Sequence, residues 1–288
     1  MKSTIKKKFS KILLGALMTT LLTTSTMIGG QQAMAQTRTE TAAAAMTQLY
    51  ENGKQEIVPQ DKELNAIMQK FIYADVNTHV QMSPMQQELL TLAVLTAASA
   101  PEEIPLHVRG ALNAGATPAQ VRETIFHCTP YVGLTRAKAA LCALTKAFKD
   151  CGVKKIDDAG TVSDETRHDA GLAVQRAIFP GIDKSNAAAP PDSKHFRNYL
   201  SANCFGDYYT REVLDVKERE LITFISIISL GGCDSQARSH VAGNLTVGNT
   251  RQQLLDAITI ALPYIGYPRT LNALAAIDAI VPPQADAK

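Results

Sequence analysis

The sequence predicts an all-α protein made of two tandem copies of one helical domain. Residues 107–144 and residues 240–277 align without a gap and are identical at 15 of 38 positions. The same register continues upstream, where residues 87–94 (QELLTLAV) correspond to residues 219–226 (RELITFIS). Two copies are too few for a solenoid, and the sequence lacks the alternation between hairpin turns that is typical of strands. These observations together indicate the duplication of a helical domain.

The matched region of each copy begins with two helices. Residues 84–98 and residues 217–230 are predicted to form long buried helices. The helix that follows is predicted to end at Gly115 in the first copy and at Gly248 in the second. Glycine takes the left-handed conformation that commonly closes a helix, so both positions are suited to that role.

The next helix begins with a capping signal that is present in both copies. Residues 117–120 (TPAQ) provide an N-cap threonine, a proline at the first helical position and a glutamine at the third, and residues 250–253 (TRQQ) provide the same cap without the proline. This helix is predicted to end before Pro130 and Pro263, each of which precedes a Tyr-x-Gly turn. A last helix is predicted over residues 136–148 and residues 269–280.

The N-terminus has the pattern of a secretory signal peptide. Five lysines lie within the first eleven residues, an apolar stretch follows over residues 12–28, and Ala33-Met34-Ala35 forms a cleavage site. The interpretation that competes with it is an uncleaved membrane anchor. Cleavage would leave a chain that begins at Gln36, exported to the periplasm or secreted, with no further segment that could span a membrane.

The repeat and the composition then define the domains. Residues 1–35 are the predicted signal peptide, residues 36–153 the first domain and residues 165–288 the second. Residues 154–164 (KKIDDAGTVSD) are polar and contain glycine, as is typical of a linker. Residues 184–193 (KSNAAAPPDS) are predicted to form a loop inside the second copy.

Charge and cysteine content exclude several classes of protein. The chain of 288 residues carries a formal charge of +2, and removal of the five lysines of the signal peptide changes it to −3, so no basic surface for nucleic acid is indicated. With 45% apolar residues the chain is not intrinsically disordered. Its cysteines are irregularly spaced without a Cys-x-x-Cys pair, which argues against a zinc site or a dithiol and leaves one disulfide of unassigned pairing open. They are Cys128, Cys142, Cys151, Cys204 and Cys233.

Motifs in both copies resemble the carboxymuconolactone decarboxylase family. Those of the first copy are residues 88–93 (ELLTLA), 107–113 (HVRGALN), 115–118 (GATP) and 130–136 (PYVGLTR); those of the second are residues 217–222 (KERELI), His240, Gly243, Gly248 and residues 263–269 (PYIGYPR). The resemblance covers nearly all of the chain after the signal peptide. It implies two tandem alkyl hydroperoxidase D-like helical domains. Since family members form rings from single domains, it also implies a homo-oligomer, expected as a trimer of two-domain chains.

The family resemblance implies two kinds of chemistry. One branch decarboxylates 4-carboxymuconolactone without a cofactor. The other branch resembles alkyl hydroperoxidase D and uses the motif Cys-x-x-Cys-x-x-x-His, preceded by a glutamate. In this chain the two cysteine positions are Ala100 and Glu103 in the first copy and Cys233 and Gln236 in the second, so neither copy has the dithiol.

The first copy carries residues suited to decarboxylation. Loss of carbon dioxide leaves a carbanion that must be protonated, and His107 is a general acid with a suitable pKa range. Glu88 can orient the imidazole, and Arg109 can bind a substrate carboxylate. Residues two apart on a helix point about 200° apart, so His107 and Arg109 cannot both face one pocket by helix geometry alone. The structural alternative is a buried His–Glu pair with Arg109 on the surface.

The second copy departs from this pattern. Glu220 and His240 are kept, but Ala242 stands at the position that corresponds to Arg109. Cys233 precedes His240 by seven residues and is a candidate nucleophile if the histidine lowers its pKa. The structural alternative is a small buried residue beside two glycines.

The other recurrent polar residues are interpreted as structural. Arg136 and Arg269 follow the Tyr-x-Gly turns and are expected to pair with Glu88 and Glu220 or to cap carbonyl groups. Tyr131 and Tyr264 of the turns are left open between the two roles. Four histidines have no partner at metal-ligand spacing and are expected in the core or on the surface; they are His79, His127, His168 and His195.

The sequence therefore favours an exported, cofactor-free enzyme acting on a small acidic lactone or carbonyl compound by histidine-mediated proton transfer or decarboxylation. The first copy is favoured as the site, because a proton-transfer enzyme for anionic substrates needs the histidine and a cation more than it needs the thiol. A non-catalytic helical binding protein and a single-cysteine, peroxidase-like antioxidant protein are the alternatives. No metal, cofactor, nucleic acid or membrane partner is expected.

Overall fold

The described part of the first copy contains seven α-helices and a short π-helical segment. The computed structural model describes residues 36–50, 56–157 and 159–283, and the predicted signal peptide lies outside these residues. In chain order the elements of the first copy are α1 (Arg38–Leu49), α2 (Lys62–Gln69), the π-helical segment π1 (Lys70–Val76), α3 (Asn77–His79), α4 (Pro84–Ala98), α5 (Ile104–Asn113), α6 (Pro118–Val132) and α7 (Leu134–Asp150).

The second copy repeats the order of the central helices after the linker. Its elements are α8 (Arg167–Ile178), α9 (Ile182–Ala187), α10 (Lys194–Tyr199), the π-helical segment π2 (Leu200–Tyr209), α11 (Val216–Leu230), α12 (Asp234–Thr246) and α13 (Arg251–Ile280). Helix α9 is an addition, and α13 spans the equivalents of α6 and α7. Over the described ranges no residue is in a strand, so the predicted all-α class and the tandem duplication are confirmed. None of the helices in these ranges is long and apolar enough to cross a membrane.

Side-chain caps explain where the central helices begin. Thr117 and Thr250 each accept a hydrogen bond from the backbone of the glutamine three residues later, and both form the predicted capping box. Ser83 and Asp215 cap α4 and α11 in the same way. Because such caps satisfy backbone N–H groups that a helix leaves unpaired, equivalent helices start in the same register in both copies.

The predicted helix ends at the prolines are wrong. Helix α6 continues through Pro130 and ends at Gly133, whose φ of 82° turns the chain into α7. Gly266 has a φ of 76° and breaks α13 at the equivalent place. Proline removes only one hydrogen bond so near a helix end, and the hydroxyl of Thr129 donates 2.7 Å to the carbonyl of Phe126 that Pro130 leaves unpaired. The last helix also starts earlier than predicted, at Leu134.

The loop predicted over residues 184–193 is shorter than expected. Helix α9 occupies part of it and ends at Ala187, so the irregular stretch that precedes α10 covers residues 188–193. Ile182 at the start of α9 is buried and anchors this turn of helix to the domain.

The two copies share one hydrophobic core. Its central layer combines α4 and α6 of the first copy with α11 and α13 of the second, and Val94, Phe224 and Ala261 in this layer are completely or almost completely buried. A second cluster lies within the first copy, between α4, α5, α6 and α7. The copies therefore form a pseudo-dimer within one chain, and residues from either copy can reach the other across the shared layer.

Candidate functional site

The first site is built around a buried carboxylate–imidazole pair. Glu88 on α4 and His107 on α5 are both buried, and Glu88 Oε2 lies 2.8 Å from His107 Nδ1. Gly110, almost one turn after His107, makes room for this pair, since a Cβ atom there would lie 2.8 Å from the carboxyl carbon of Glu88. With Nδ1 held by the carboxylate, Nε2 is the nitrogen that is left for chemistry.

The second site contains the equivalent pair in the second copy. Glu220 on α11 lies with its Oε2 2.9 Å from Nδ1 of His240 on α12. Gly243 takes the place of Gly110, because a Cβ atom there would lie 2.7 Å from Glu220 Oε2. The duplication has thus preserved the pair and the glycine that accommodates it.

Each pair is completed by a tyrosine from the other copy. The hydroxyl of Tyr264 on α13 lies 3.4 Å from His107 Nε2, and the two rings meet edge to face with centroids 5.8 Å apart. In the second site Tyr131 on α6 contacts His240, with centroids 5.9 Å apart. The tyrosines of the two Tyr-x-Gly turns are therefore exchanged across the pseudo-dimer.

The two sites differ in how they are filled. The first site encloses a cavity with room for about one water molecule, bordered by His107, Tyr264 and Val76, the last residue of π1. In the second site the last residue of π2 is Tyr209, whose hydroxyl donates 2.5 Å to Glu220 Oε1. Both oxygens of Glu220 are thus engaged within the protein, whereas open space adjoins the pair in the first site.

Further tyrosine hydroxyls tighten the second site. Tyr209 lies 2.9 Å from the hydroxyl of Thr223 and accepts a hydrogen bond of 3.1 Å from Tyr131. Cys204 donates 3.3 Å to the Tyr131 hydroxyl. Burial raises the pKa of Cys204 to about 12, so this thiol is protonated and acts as part of the packing.

A buried charged network lies behind the second site. Arg219 donates 2.9 Å to Glu123 Oε1, and Arg211 donates to the same oxygen, also at 2.9 Å. His127 Nδ1 lies 3.1 Å from Nη1 of Arg219, and its Nε2 lies 3.1 Å from the hydroxyl of Thr223. Arginine can only donate, so Nδ1 accepts and Nε2 carries the hydrogen of a neutral imidazole.

Because His127 is neutral in the folded protein, the free energy of unfolding should depend on pH. Burial, and then the charge of Arg219, lower the pKa of His127 well below its usual value. Below about pH 6.5 the unfolded chain therefore binds a proton that the folded chain does not, and stability falls by up to about 1.4 kcal/mol per pH unit. We expect urea unfolding of the His127→Gln variant to lose this part of the slope between about pH 6.5 and 5.5. Equal slopes for the variant and the wild type would contradict the assignment.

The remaining predicted site residues do not line the cavity of the first site. Arg109 is exposed on α5 and does not border the cavity of the first site. Cys233 is half-buried at the start of α12, beside Gly231, Gly232 and Arg269, and it does not border that cavity either. All five cysteines lie in the described part of the chain and are free thiols in the structure. The functional roles of Arg109 and Cys233 stay predictions.

Arg269 has the structural role that its recurrence indicated. Its Nη1 donates 2.8 Å to the carbonyl of Ser229, in the last turn of α11. Of the two structural roles expected from the sequence, Arg269 therefore has the capping of a carbonyl group and not the ion pair with Glu220. Its counterpart Arg136 is exposed.

Sequence reasoning missed Tyr209 and left Tyr264 undecided. It expected His127 in the core or on the surface, and His127 lies in the core, but its contacts with Arg219 and Thr223 were not predicted. The alignment of the two copies could have indicated His127, because its equivalent in the second copy is the apolar Ile260, which borders the first cavity. A polar residue that replaces an apolar one at equivalent core positions marks a difference between the sites. Over the part of the chain described, no three side chains of the metal-binding types are grouped to hold an ion.

Comparisons with known proteins agree with the repeat. Residues 62–146 and residues 195–279 each match the carboxymuconolactone decarboxylase family, and each range contains one pair. The 4-carboxymuconolactone decarboxylase of Acinetobacter baylyi is 29% identical over 93 residues, which are 32% of this chain and 69% of that protein. The nitrosuccinic acid decarboxylase of Metarhizium robertsii is 26% identical over 104 residues, 36% of this chain and 73% of that protein.

A solved structure is also similar. The crystal structure of a chain assigned as a gamma-carboxymuconolactone decarboxylase subunit, from Burkholderia xenovorans LB400, aligns with a TM-score of 0.47 and 15% identity. The alignment covers 83% of this chain and 97% of that one.

Proposed function

The chain belongs to the carboxymuconolactone decarboxylase family, and we propose that its first site decarboxylates a small carboxylic acid without a cofactor. His107 is the general acid in this proposal, and Glu88 orients it. The two relatives are named as decarboxylases of small organic acids, which supports this reaction class. We also propose that the protein is exported, since residues 1–35 have the pattern of a signal peptide. N-terminal sequencing of the protein recovered outside the cytoplasm tests this, and the expected first residue is Gln36.

The observation that carries the proposal is the open space beside His107 Nε2. The pair in the first site borders a cavity, whereas Tyr209 occupies the second carboxylate oxygen of Glu220 in the second site. A substrate needs a reactive group with room next to it. The chemistry is therefore assigned to the first site, and the histidine–glutamate pair of the second copy has a structural role.

The reaction requires a proton at the carbon that loses carbon dioxide. As the carbon–carbon bond breaks, its electron pair stays on that carbon and delocalises into an adjacent carbonyl or similar group. His107, protonated at both nitrogens, gives the Nε2 proton to the carbon, and solvent then restores it. Glu88 keeps the imidazole in the required orientation because its carboxylate accepts from Nδ1 throughout.

The lining of the cavity bears on the substrate. Among the described residues that border it, none is an arginine or a lysine. Apart from the histidine–glutamate pair, its polar groups belong to Tyr73, Asn77, Gln87, Thr91 and Tyr264. A substrate carboxylate would be held by uncharged donors in this site, which favours its loss as neutral carbon dioxide. The cavity is smaller than any such acid, so binding requires bordering side chains other than His107 and Tyr264, such as Ile72 and Val76, to move outward.

The two glutamates provide a matched test. Carbon dioxide release is measured with a panel of carboxylated lactones, β-keto acids and 2-nitro acids, the classes that the names of the two relatives suggest. We expect Glu88→Gln to lower kcat on the order of 10–100-fold, since an amide cannot fix the imidazole as the carboxylate does. Glu220→Gln is the control and should retain the wild-type rate. A loss with Glu220→Gln and none with Glu88→Gln would place the reaction in the other copy.

A further inference from the structure

We propose that Tyr264, which the second copy contributes, is a catalytic residue of the first site. Its phenol hydroxyl binds the substrate oxygen on which negative charge accumulates when carbon dioxide leaves. This inference rests on the proposed decarboxylation. It assigns the second copy a part in the reaction although the carboxylate of its own pair is engaged by Tyr209.

The geometry brings the two required groups to one cavity. The Tyr264 hydroxyl lies 3.4 Å from His107 Nε2, a long separation that a bound substrate atom between them can replace by two shorter contacts. The imidazole cannot turn away from this cavity without giving up the 2.8 Å contact between Nδ1 and Glu88. His107 Nε2, which protonates the carbon, and the Tyr264 hydroxyl, which donates to the oxygen, are therefore adjacent in one cavity.

The surroundings keep Tyr264 in its donating form. Burial raises the pKa of Tyr264 well above its usual value, and the negative charge of Glu88 adds to the shift. The phenol therefore stays protonated at neutral pH and can only strengthen its hydrogen bond as charge develops on the substrate. Preorganised donors of this kind stabilise an oxyanion in a water-excluded site.

The reaction then balances as follows. The substrate carboxylate leaves as carbon dioxide, and the electron pair of the broken bond moves through carbon to the acceptor oxygen, which the Tyr264 hydroxyl holds by a hydrogen bond. The pair returns to carbon when the Nε2 proton of His107 is transferred. Tyr264 keeps its proton, His107 regains one from solvent, and the net change is uptake of one proton and release of one carbon dioxide.

Tyr131 shows what the same residue does where a second tyrosine engages the carboxylate of the pair. It occupies the equivalent position toward the second site, but its hydroxyl donates 3.1 Å to Tyr209 and is engaged within the protein. The Tyr264 hydroxyl instead has a hydrogen bond with Thr91 and the long contact with His107, and it borders the cavity of the first site. The difference between the two tyrosines supports a substrate-binding role for Tyr264 and supplies a matched control.

The test compares Tyr264→Phe with Tyr131→Phe in the full chain. Phenylalanine keeps the ring that packs on the histidine and removes only the hydroxyl. We expect Tyr264→Phe to lower kcat on the order of 10²–10³-fold, the usual effect of losing one oxyanion donor. Its KM and the midpoints of its pH–rate profile should be unchanged, because His107 stays in place. Tyr131→Phe should retain the wild-type kcat.

The outcomes separate this inference from the proposed function. If Tyr264→Phe keeps full kcat while His107→Ala loses it, the inference is wrong and the proposed decarboxylation stands. A fall in kcat together with a shifted pH profile would indicate a positioning role and would also overturn the inference. If neither variant changes the rate, or if no acid of the panel is decarboxylated by the wild type, both proposals are wrong.

Discussion

Replacing His107 by alanine is expected to lower kcat for carbon dioxide release on the order of 10²–10⁴-fold, because the carbanion loses its general acid. His240→Ala is the matched control. It removes the equivalent imidazole from a site whose carboxylate is already engaged by Tyr209, and it should leave kcat close to the wild-type value. Both variants are compared by steady-state kinetics after circular dichroism has established that they are folded.

Chemical rescue separates a catalytic role of His107 from a structural one. The alanine variant leaves a space of imidazole size beside Glu88 and next to the existing cavity. Added imidazole should enter this space and be oriented by a hydrogen bond to the Glu88 carboxylate. It should then restore part of the rate in proportion to its concentration. Full activity of His107→Ala, or loss of activity in His240→Ala alone, would contradict the assignment to the first copy.

The duplicated sequence predicted the two histidine–glutamate pairs because they lie within single copies. Glu88 and His107 are separated by one short connection, and the family motifs place them on successive helices. Repetition at Glu220 and His240 reinforced the prediction. The glycines that make room for the pairs, Gly110 and Gly243, recur in the same motifs.

The exchange of tyrosines could not be predicted in this way. Tyr264 lies 157 positions from His107 along the chain, and their contact depends on how the two copies pack through the shared core. Helix periodicity gives the buried face of each helix, but it does not identify the helix of the other copy on which that face packs. The role of Tyr209 was not predicted either, because no sequence pattern indicates the π-helical segment that positions it.

Arg109 and Cys233 show the opposite limitation. Their residue types suit substrate binding and thiol chemistry, and motif spacing placed both near a histidine. Arg109 follows His107 by two residues, so the helix turns it to the exposed side, as the angle between such residues requires. Cys233 precedes the first turn of α12 and lies beside Arg269. Its spacing of seven residues from His240 therefore does not by itself bring the thiol to the imidazole.

Removal of the Glu123 carboxylate should have the largest effect on stability. Glu123 and Arg219 are completely or almost completely buried, and Arg211 donates to the same carboxylate. The Glu123→Ala variant would leave the guanidinium of Arg219 inside the protein without its counter-charge. Breaking a buried ion pair by removing one partner costs about 3–5 kcal/mol, whereas an exposed pair contributes about 0–1 kcal/mol.

The ion pair between Arg167 and Asp207 is the matched control, since both side chains are about one-third exposed and their atoms approach to 2.6 Å. Urea unfolding should give a free energy of unfolding about 3–5 kcal/mol lower for Glu123→Ala, and lower by no more than about 1 kcal/mol for Asp207→Ala. The dependence on urea concentration should stay the same in both variants. Because the network ends at His127 and Thr223, Glu123→Ala should also loosen the second site. A loss below about 1 kcal/mol for Glu123→Ala would mean that water or neighbouring groups compensate the charge of Arg219, and that the network is not what holds the two copies together at this point.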